Sequence, residues 1–372
     1  MLIGVPKEIK VEENRVGLTP GAVRELIQRG HSVVVETNAA RMIGIDDADF
    51  RDAGAEIAGT AEEVFARADM IVKVKEPQAP EFGLLREDQI LFTYLHLAPD
   101  PAQTEALINS GCVAIAYETV TDDYGGLPLL APMSEVAGRM AVQAGANCLE
   151  IYNGGRGTLL GGVPGVHPGK VVVIGGGVVG TNAVLVAKGF GASVTVIDRS
   201  LRRLAELDFQ FQSGVTTLYS TGDTIESEVL SADLVIGAVL LPGAEAPKLV
   251  TREMVSRMLR GSVIVDVAID QGGCCETSRV TTHSDPTYVV DDVVHYCVGN
   301  MPGAVARTST FALNNATLPF VAQIADKGYL EAMRADPHLL AGLNAYHGRL
   351  TYAAVAEAQD RDHVPANEAL AA

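Results

Sequence analysis

The stretch KVVVIGGGVVGTNAVLVAKGFGASVTVID, residues 170–198, decides how the rest of the chain is read. Lys170–Ile174 is a β-branched run of the buried type that leads straight into Gly175-Gly176-Gly177-Val178-Val179-Gly180, and a helical stretch follows to about Lys188. This is the GxGxxG spacing in the strand-to-helix setting it requires. Gly175 makes the tight turn, Gly177 lets the backbone approach a pyrophosphate, and Gly180 lets helix and strand pack closely. The helix amino terminus then faces the phosphates. The next strand, Ser193–Ile197, ends in Asp198, where a carboxylate accepts the ribose hydroxyls. The alternative is a glycine-rich turn between ordinary elements, with Asp198 merely capping the next helix. Asp198 repels a 2′-phosphate, whereas neighbouring Arg199 accommodates one; NAD is the expected dinucleotide.

Outward from this motif, a second βα series runs from Lys170 to about Gly299, with strands expected at Val171–Ile174, Ser193–Ile197, Leu234–Ala238 and Val263–Val267. Before it, Leu2–Val5, His31–Glu36, Met70–Lys75, Ile90–His96 and Val113–Tyr117 are β-rich runs. Thr19-Pro20 and Asp100-Pro101 open helices among them, as an N-cap followed by proline in the first turn. A connecting helix is expected over Met133–Tyr152 and a long helix over Thr308–Lys327. The fold class is therefore α/β, with two doubly wound parallel-sheet domains, the second of Rossmann type and inserted into the first. The expected boundaries are 1–129 for the first part of a substrate domain, 130–306 for the dinucleotide domain, and 307–372 for helices returning to the substrate domain.

A length of 372 residues suits two cores. The formal net charge of -18 repels nucleic acid and anionic membrane surfaces, so the expected partner is a small molecule. Apolar runs are short or broken by Lys188 and glycines, and Lys7, Glu8, Lys10, Glu12, Glu13 and Arg15 crowd the amino-terminal region. Neither a membrane span nor a signal peptide is expected. The 5 cysteines, Cys112, Cys148, Cys274, Cys275 and Cys297, form no CxxC pair and read as buried reduced thiols of a cytoplasmic protein. No cluster has metal-ligand spacing.

Several further stretches carry a resemblance: IGVPKEIKVEENRVGLTP at 3–20, IVKVKEP at 71–77, FTYLHLAPD at 92–100, LLAPMSEVAGR at 129–139, GGRGTLLGGVPGV at 154–166, DVAIDQGG at 266–273 and NMPGAV at 300–305. Together they resemble the alanine dehydrogenase family and the related soluble part of the proton-translocating nicotinamide nucleotide transhydrogenase, over nearly the whole chain. The resemblance implies reversible, NAD-dependent oxidative deamination of L-alanine to pyruvate and ammonium. It also implies the nicotinamide end of NAD in a cleft between two domains, and an assembly of identical subunits, commonly a hexamer. Besides the glycines, it implies cofactor contacts from Ser134, Val178, Val179, Asp198, Arg203, Ser220, Val239, Leu240, Val267, Ala268, Ile269, Asp270, Val298, Gly299, Asn300 and Met301.

A 2-amino acid needs its carboxylate held, its nitrogen able to lose a proton, and its C2 hydrogen aimed at the nicotinamide. Arg15, in the polar loop before Thr19, suits a bidentate grip on a carboxylate, or else is a solvated arginine pairing with Glu12 or Glu13. Lys75 ends a β-rich run on the same face as Lys73, where ligands collect in open α/β sheets; the other reading is an edge strand protected by lysines. His96 sits at the carboxyl end of the next strand, and imidazole is the side chain that takes and gives a proton near neutrality. A satisfied core or capping histidine is the alternative. Asp270, after Val263–Val267, suits orienting water or ammonia, or else makes an Asx turn. Two rivals remain: a transhydrogenase subunit, which exchanges hydride between nucleotides and requires membrane partners, and a catalytically silent NAD-binding sensor.

Overall fold

A computed structural model of the chain describes residues 1–239 and 246–371. In chain order its strands are β1 (Leu2–Val5), β2 (Ser32–Glu36), β3 (Glu56–Ala58), β4 (Met70–Val72), β5 (Ile90–Thr93), β6 (Val113–Ala116), β7 (Lys170–Ile174), β8 (Ser193–Asp198), β9 (Thr216–Tyr219), β10 (Leu234–Gly237), β11 (Val263–Asp266), β12 (Thr287–Val290), β13 (Val293–Tyr296), β14 (Leu343–Tyr346) and β15 (Arg349–Leu350). They form two sheets in two compact units, residues 1–133 with 305–372, and residues 134–304.

In the first unit the order is β15-β14-β6-β5-β4-β1-β2-β3, and in the second β12-β13-β11-β10-β7-β8-β9. Read from β3 and from β9, both place their first strand third and reverse direction beside it, between β1 and β4 and between β7 and β10. That reversal is the topological switch point of a doubly wound sheet, where loops diverge and leave room for a ligand. All pairings among β1–β6 are parallel, as are those among β7–β11 and β13. Antiparallel β12, β14 and β15 finish one end of each sheet. Buried strands such as Val113–Ala116 and Leu234–Gly237 are apolar throughout because helices cover both faces of a parallel sheet.

Several element bounds differ from the sequence expectation. The strand from Met70 ends at Val72 and that from Ile90 at Thr93, although Lys73 N–H still donates to the Phe92 carbonyl and Tyr94 N–H to the Val74 carbonyl. Strand-like alternation therefore outlasts the regular ladder, and the residues beyond it turn to meet side chains from other loops. The connecting helix is Ala131–Cys148, and the long helix is Ala306–Lys327. The returning segment is also not helical alone, since Leu343–Tyr346 joins β6 and pairs with Arg349–Leu350. Thr19 caps Pro20–Gln28 as expected, and its hydroxyl and N–H both donate to Asn314 Oδ1, at 2.6 and 3.0 Å. Val16 N–H donates to Thr310, so the long helix fixes the loop that carries Arg15. No helix among the described residues is long and apolar enough to cross a membrane.

Candidate active site

Arg15, Lys75 and His96 all belong to the first unit and follow the carboxyl ends of β1, β4 and β5, three strands adjacent in the sheet. Gly17 lets the loop after β1 reach the end of β4, because a methyl there would lie 2.3 Å from the Val72 carbonyl oxygen. Arg15 is not solvated, being 1% exposed. Its Nε and Nη2 donate to the two oxygens of Glu13 at 2.7 and 2.5 Å, and Nη1 lies 3.0 Å from Met133 Sδ, a weak acceptor. Burial opposes the guanidinium charge, but the bonds to Glu13 and its field outweigh it and push the pKa up.

Lysines do not protect a sheet edge here, because β4 lies between β1 and β5. Lys73 is fully buried between Glu81 Oε1 at 2.7 Å and Glu8 Oε2 at 3.4 Å. Burial works against its charge too, and the two carboxylates more than offset it. Glu8 in turn accepts the N–H groups of Val74 and Lys75, at 2.6 and 3.3 Å, and so fixes the backbone that presents Lys75. Burial pushes the Glu8 carboxyl up despite Lys73.

His96 is no core histidine: its side chain is 44% exposed, and its backbone is left-handed, with φ of 49°. Glu118, just past β6, accepts its N–H at 2.6 Å and that of Leu95 at 3.1 Å, with the ring Nδ1 3.9 Å away. The imidazole also stacks on Tyr94, whose hydroxyl donates to the Leu129 carbonyl at 2.5 Å. The sequence reading passed over Glu8 and Glu118. Both lie just beyond a strand's carboxyl end, the signal that singled out His96.

In the second unit the GxGxxG turn has the form a pyrophosphate needs. Gly175 has φ of 101°, a methyl on Gly180 would stand 1.8 Å from the Gly175 carbonyl oxygen, and one on Gly177 would meet nothing within 4 Å. The backbone is thus closed on the protein side and open on the other. Val178 and Val179 begin the helix Val178–Gly189. Asp198 ends β8, and its carboxylate accepts the N–H groups of Gly176 at 2.7 Å and Ser200 at 2.8 Å, so it both tethers the glycine turn and leads into the helix Leu201–Phe211. Arg203 donates to the Gly176 carbonyl at 2.6 Å and to Thr181 at 2.6 Å. Ser220 N–H donates to the Asp198 carbonyl at 3.0 Å, bringing the end of β9 alongside.

Ser134 is on the helix Ala131–Cys148, and Val239 follows β10; Leu240 lies outside the described residues. Val267, Ala268, Ile269 and Asp270 form a 3-10 turn after β11, with Asp270 exposed at its surface. Val298, Gly299, Asn300 and Met301 follow β13, and a methyl on Gly299 would lie 3.2 Å from Asp270 Oδ1, so these two loops meet. The structure thus places Arg15, Lys75 and His96 in one unit, and Asp270 with the described residues expected to contact the cofactor in the other.

Family models for the alanine dehydrogenase/PNT N-terminal and C-terminal domains match residues 4–137 and 141–353. The chain belongs to the alanine dehydrogenase/PNT family. Within this family it is 60% identical to an alanine dehydrogenase of Halomonas elongata, over 98% of this chain and 99% of the relative. It is 57% identical to one of Methanococcus maripaludis, over 100% of both. A solved L-alanine dehydrogenase superposes with a TM-score of 0.94 at 53% identity, covering 97% of this chain and 99% of that one. The family membership accounts for the paired doubly wound sheets and for the dinucleotide turn in the second.

Proposed function

We propose that this member of the alanine dehydrogenase/PNT family is an L-alanine dehydrogenase, catalysing the reversible, NAD-dependent oxidative deamination of L-alanine to pyruvate and ammonium. The observation that carries this reading is the grouping of Arg15, Lys75 and His96 beyond three adjacent strand ends, in a chain 60% identical to a named alanine dehydrogenase. When bound, NAD accepts the C2 hydride, and the glycine turn from Gly175 to Gly180 with Asp198 fits its pyrophosphate and ribose. Arg15 grips the substrate carboxylate, with Glu13 fixing the plane of its guanidinium. Lys75 supplies the second positive charge, toward the carboxylate and carbonyl oxygen. His96 takes the proton of the carbinolamine hydroxyl during deamination and returns one to the pyruvate carbonyl oxygen during amination. Asp270 orients water or ammonia and favours the cationic iminium.

A hydride exchange between two nucleotides would give this basic group no task, which disfavours the transhydrogenase reading. A cytoplasmic homo-oligomer, a hexamer by family resemblance, completes the proposal. The buried free thiols fit a reducing compartment. The test is NADH formation from L-alanine and NAD, and its consumption with pyruvate and ammonium. His96→Ala is expected to lower turnover in both directions by roughly two orders of magnitude while leaving NADH binding nearly intact. NAD binding without turnover in the unaltered protein would identify a sensor instead, and near-normal turnover in the variant would remove His96 from the mechanism.

A further inference from the structure

Asp266, the last residue of β11, is fully buried and turns its carboxylate onto the loop that carries Asp270. Oδ1 accepts the Ala268 N–H at 3.2 Å and lies 3.5 Å from Cys274 Sγ. Oδ2 accepts the N–H groups of Cys274 and Cys275, at 2.9 and 3.2 Å, and the Ser278 hydroxyl at 2.6 Å. Ala268 precedes Asp270, whereas Cys274, Cys275 and Ser278 follow it. One carboxylate therefore holds both limbs of the loop at its base. The chain returns through Gly272 and Gly273, with φ of 86° and 78°, and a methyl on Gly273 would lie 2.7 Å from Oδ2. The loop is drawn against the carboxylate more tightly than a side chain would permit.

A bound cation is the competing explanation, since ligand atoms of Asp266, Cys274 and Cys275 all lie within 4.8 Å of one another. Oδ1, however, already accepts the Ala268 N–H, and Oδ2 two N–H groups and the Ser278 hydroxyl, so the acceptor sites a cation would need are in use. A neutral amide would not serve either. Asparagine has one acceptor oxygen, and in either flip its NH2 group would face a backbone N–H.

We propose that Asp266 is a positioning residue acting through Asp270, its charge closing the Val267–Ser278 loop and thereby setting where the Asp270 carboxylate stands. The inference rests on the role given to Asp270 above. The test is a double-mutant cycle on the full-length protein, with kcat and KM for L-alanine, NADH affinity, and amide hydrogen exchange at Cys274 and Cys275 as readouts. Asp266→Asn is expected to lower kcat by roughly ten-fold or more and to speed exchange at both amides, and to cause no further loss of kcat once Asp270→Asn is present. Ser278→Ala, which removes the hydroxyl bond to Asp266 and a weak contact from Cys297 Sγ, is expected to lower kcat by a few-fold and to show the same non-additivity. If Asp266→Asn does not fold, the Ser278→Ala cycle decides alone. Wild-type kcat in Asp266→Asn, or the same fold-loss with and without Asp270→Asn, overturns the proposal while leaving Asp270 its role. Wild-type kcat in Asp270→Asn removes that role and this inference together.

Discussion

Glu118 bears on His96 through the backbone as much as through the ring. A left-handed, non-glycine residue costs about 1–3 kcal/mol unless its surroundings hold it, and here the N–H groups of Leu95 and His96 both end on one carboxylate. Glu118→Ala leaves both donors without that acceptor and is expected to reduce turnover by roughly ten-fold. Glu118→Gln, which keeps an acceptor oxygen, should fall far less. Equal losses in steady-state assays of the two would show that charge, not backbone anchoring, is what matters. Glu76 offers a separate test beside Lys75. Burial raises its pKa, but the hydrogen bond from Lys10 and the charges of Lys75 and Lys10 prevail and hold it below the ordinary 4.5. A depressed carboxyl contributes stability above the unfolded pKa and loses it as pH falls through the folded one. Lys10→Met is therefore expected to cost about 1 kcal/mol or less in urea unfolding at neutral pH, Lys10 being partly exposed, with the difference shrinking below pH 4.5.

The strand–turn–helix at β7 separates two effects of adding a methyl group. Gly177→Ala meets no protein atom within 4 Å, so it should leave the melting temperature unchanged while weakening NADH binding by roughly ten-fold or more. Gly180→Ala drives a methyl to 1.8 Å from the Gly175 carbonyl, and should lower both stability, by about 1–3 kcal/mol, and NADH affinity. Thermal melts and NADH titrations that failed to separate the two variants would refute this reading of the turn. That element was legible in the sequence because its signal is local, six residues of fixed spacing between a valine-rich strand and a helix. The ends of β4 and β5 were not. Lys73-Val74-Lys75 keeps the alternation of a strand, and only Glu8, arriving from the loop after β1 to take the N–H groups of Val74 and Lys75, shows where the regular ladder stops. β9 and β12 escaped because they are edge strands with partly exposed residues, and β13 because His295 interrupts its apolar run. β14 escaped because what recruits it is pairing with the distant β6, and β15 because it pairs with β14 in turn. The proposed site divides likewise: Arg15, Lys75 and His96 stand out by residue type and strand position, whereas Glu8, Glu13 and Glu118 gain meaning only from the strand order that brings their loops together.

Across the whole molecule the dominant electrostatic quantity is a net charge of -18, spread over many exposed carboxylates. Such self-repulsion destabilises the compact state and is screened once the Debye length falls below the charge spacing. Raising salt from low ionic strength to ~0.5 M is expected to lift the melting temperature, with a gain of ~1 kcal/mol corresponding to roughly 2–4 °C. A melting point that falls or stays level with added sodium chloride would show that local ion pairs, such as Arg67 with Glu56 and Glu63, dominate instead. The interruption of the first unit has a consequence in time. A ribosome delivers β7 to β13 as one uninterrupted stretch, so the second sheet has all its strands before residue 305 emerges. The first sheet must wait, because β6 keeps an unpaired flank until residues 343–346 arrive to pair with it. During that interval the nascent chain carries a finished nucleotide unit beside a half-built sheet with an open apolar edge, and it is this edge, Val113–Ala116, that a chaperone would have reason to shield.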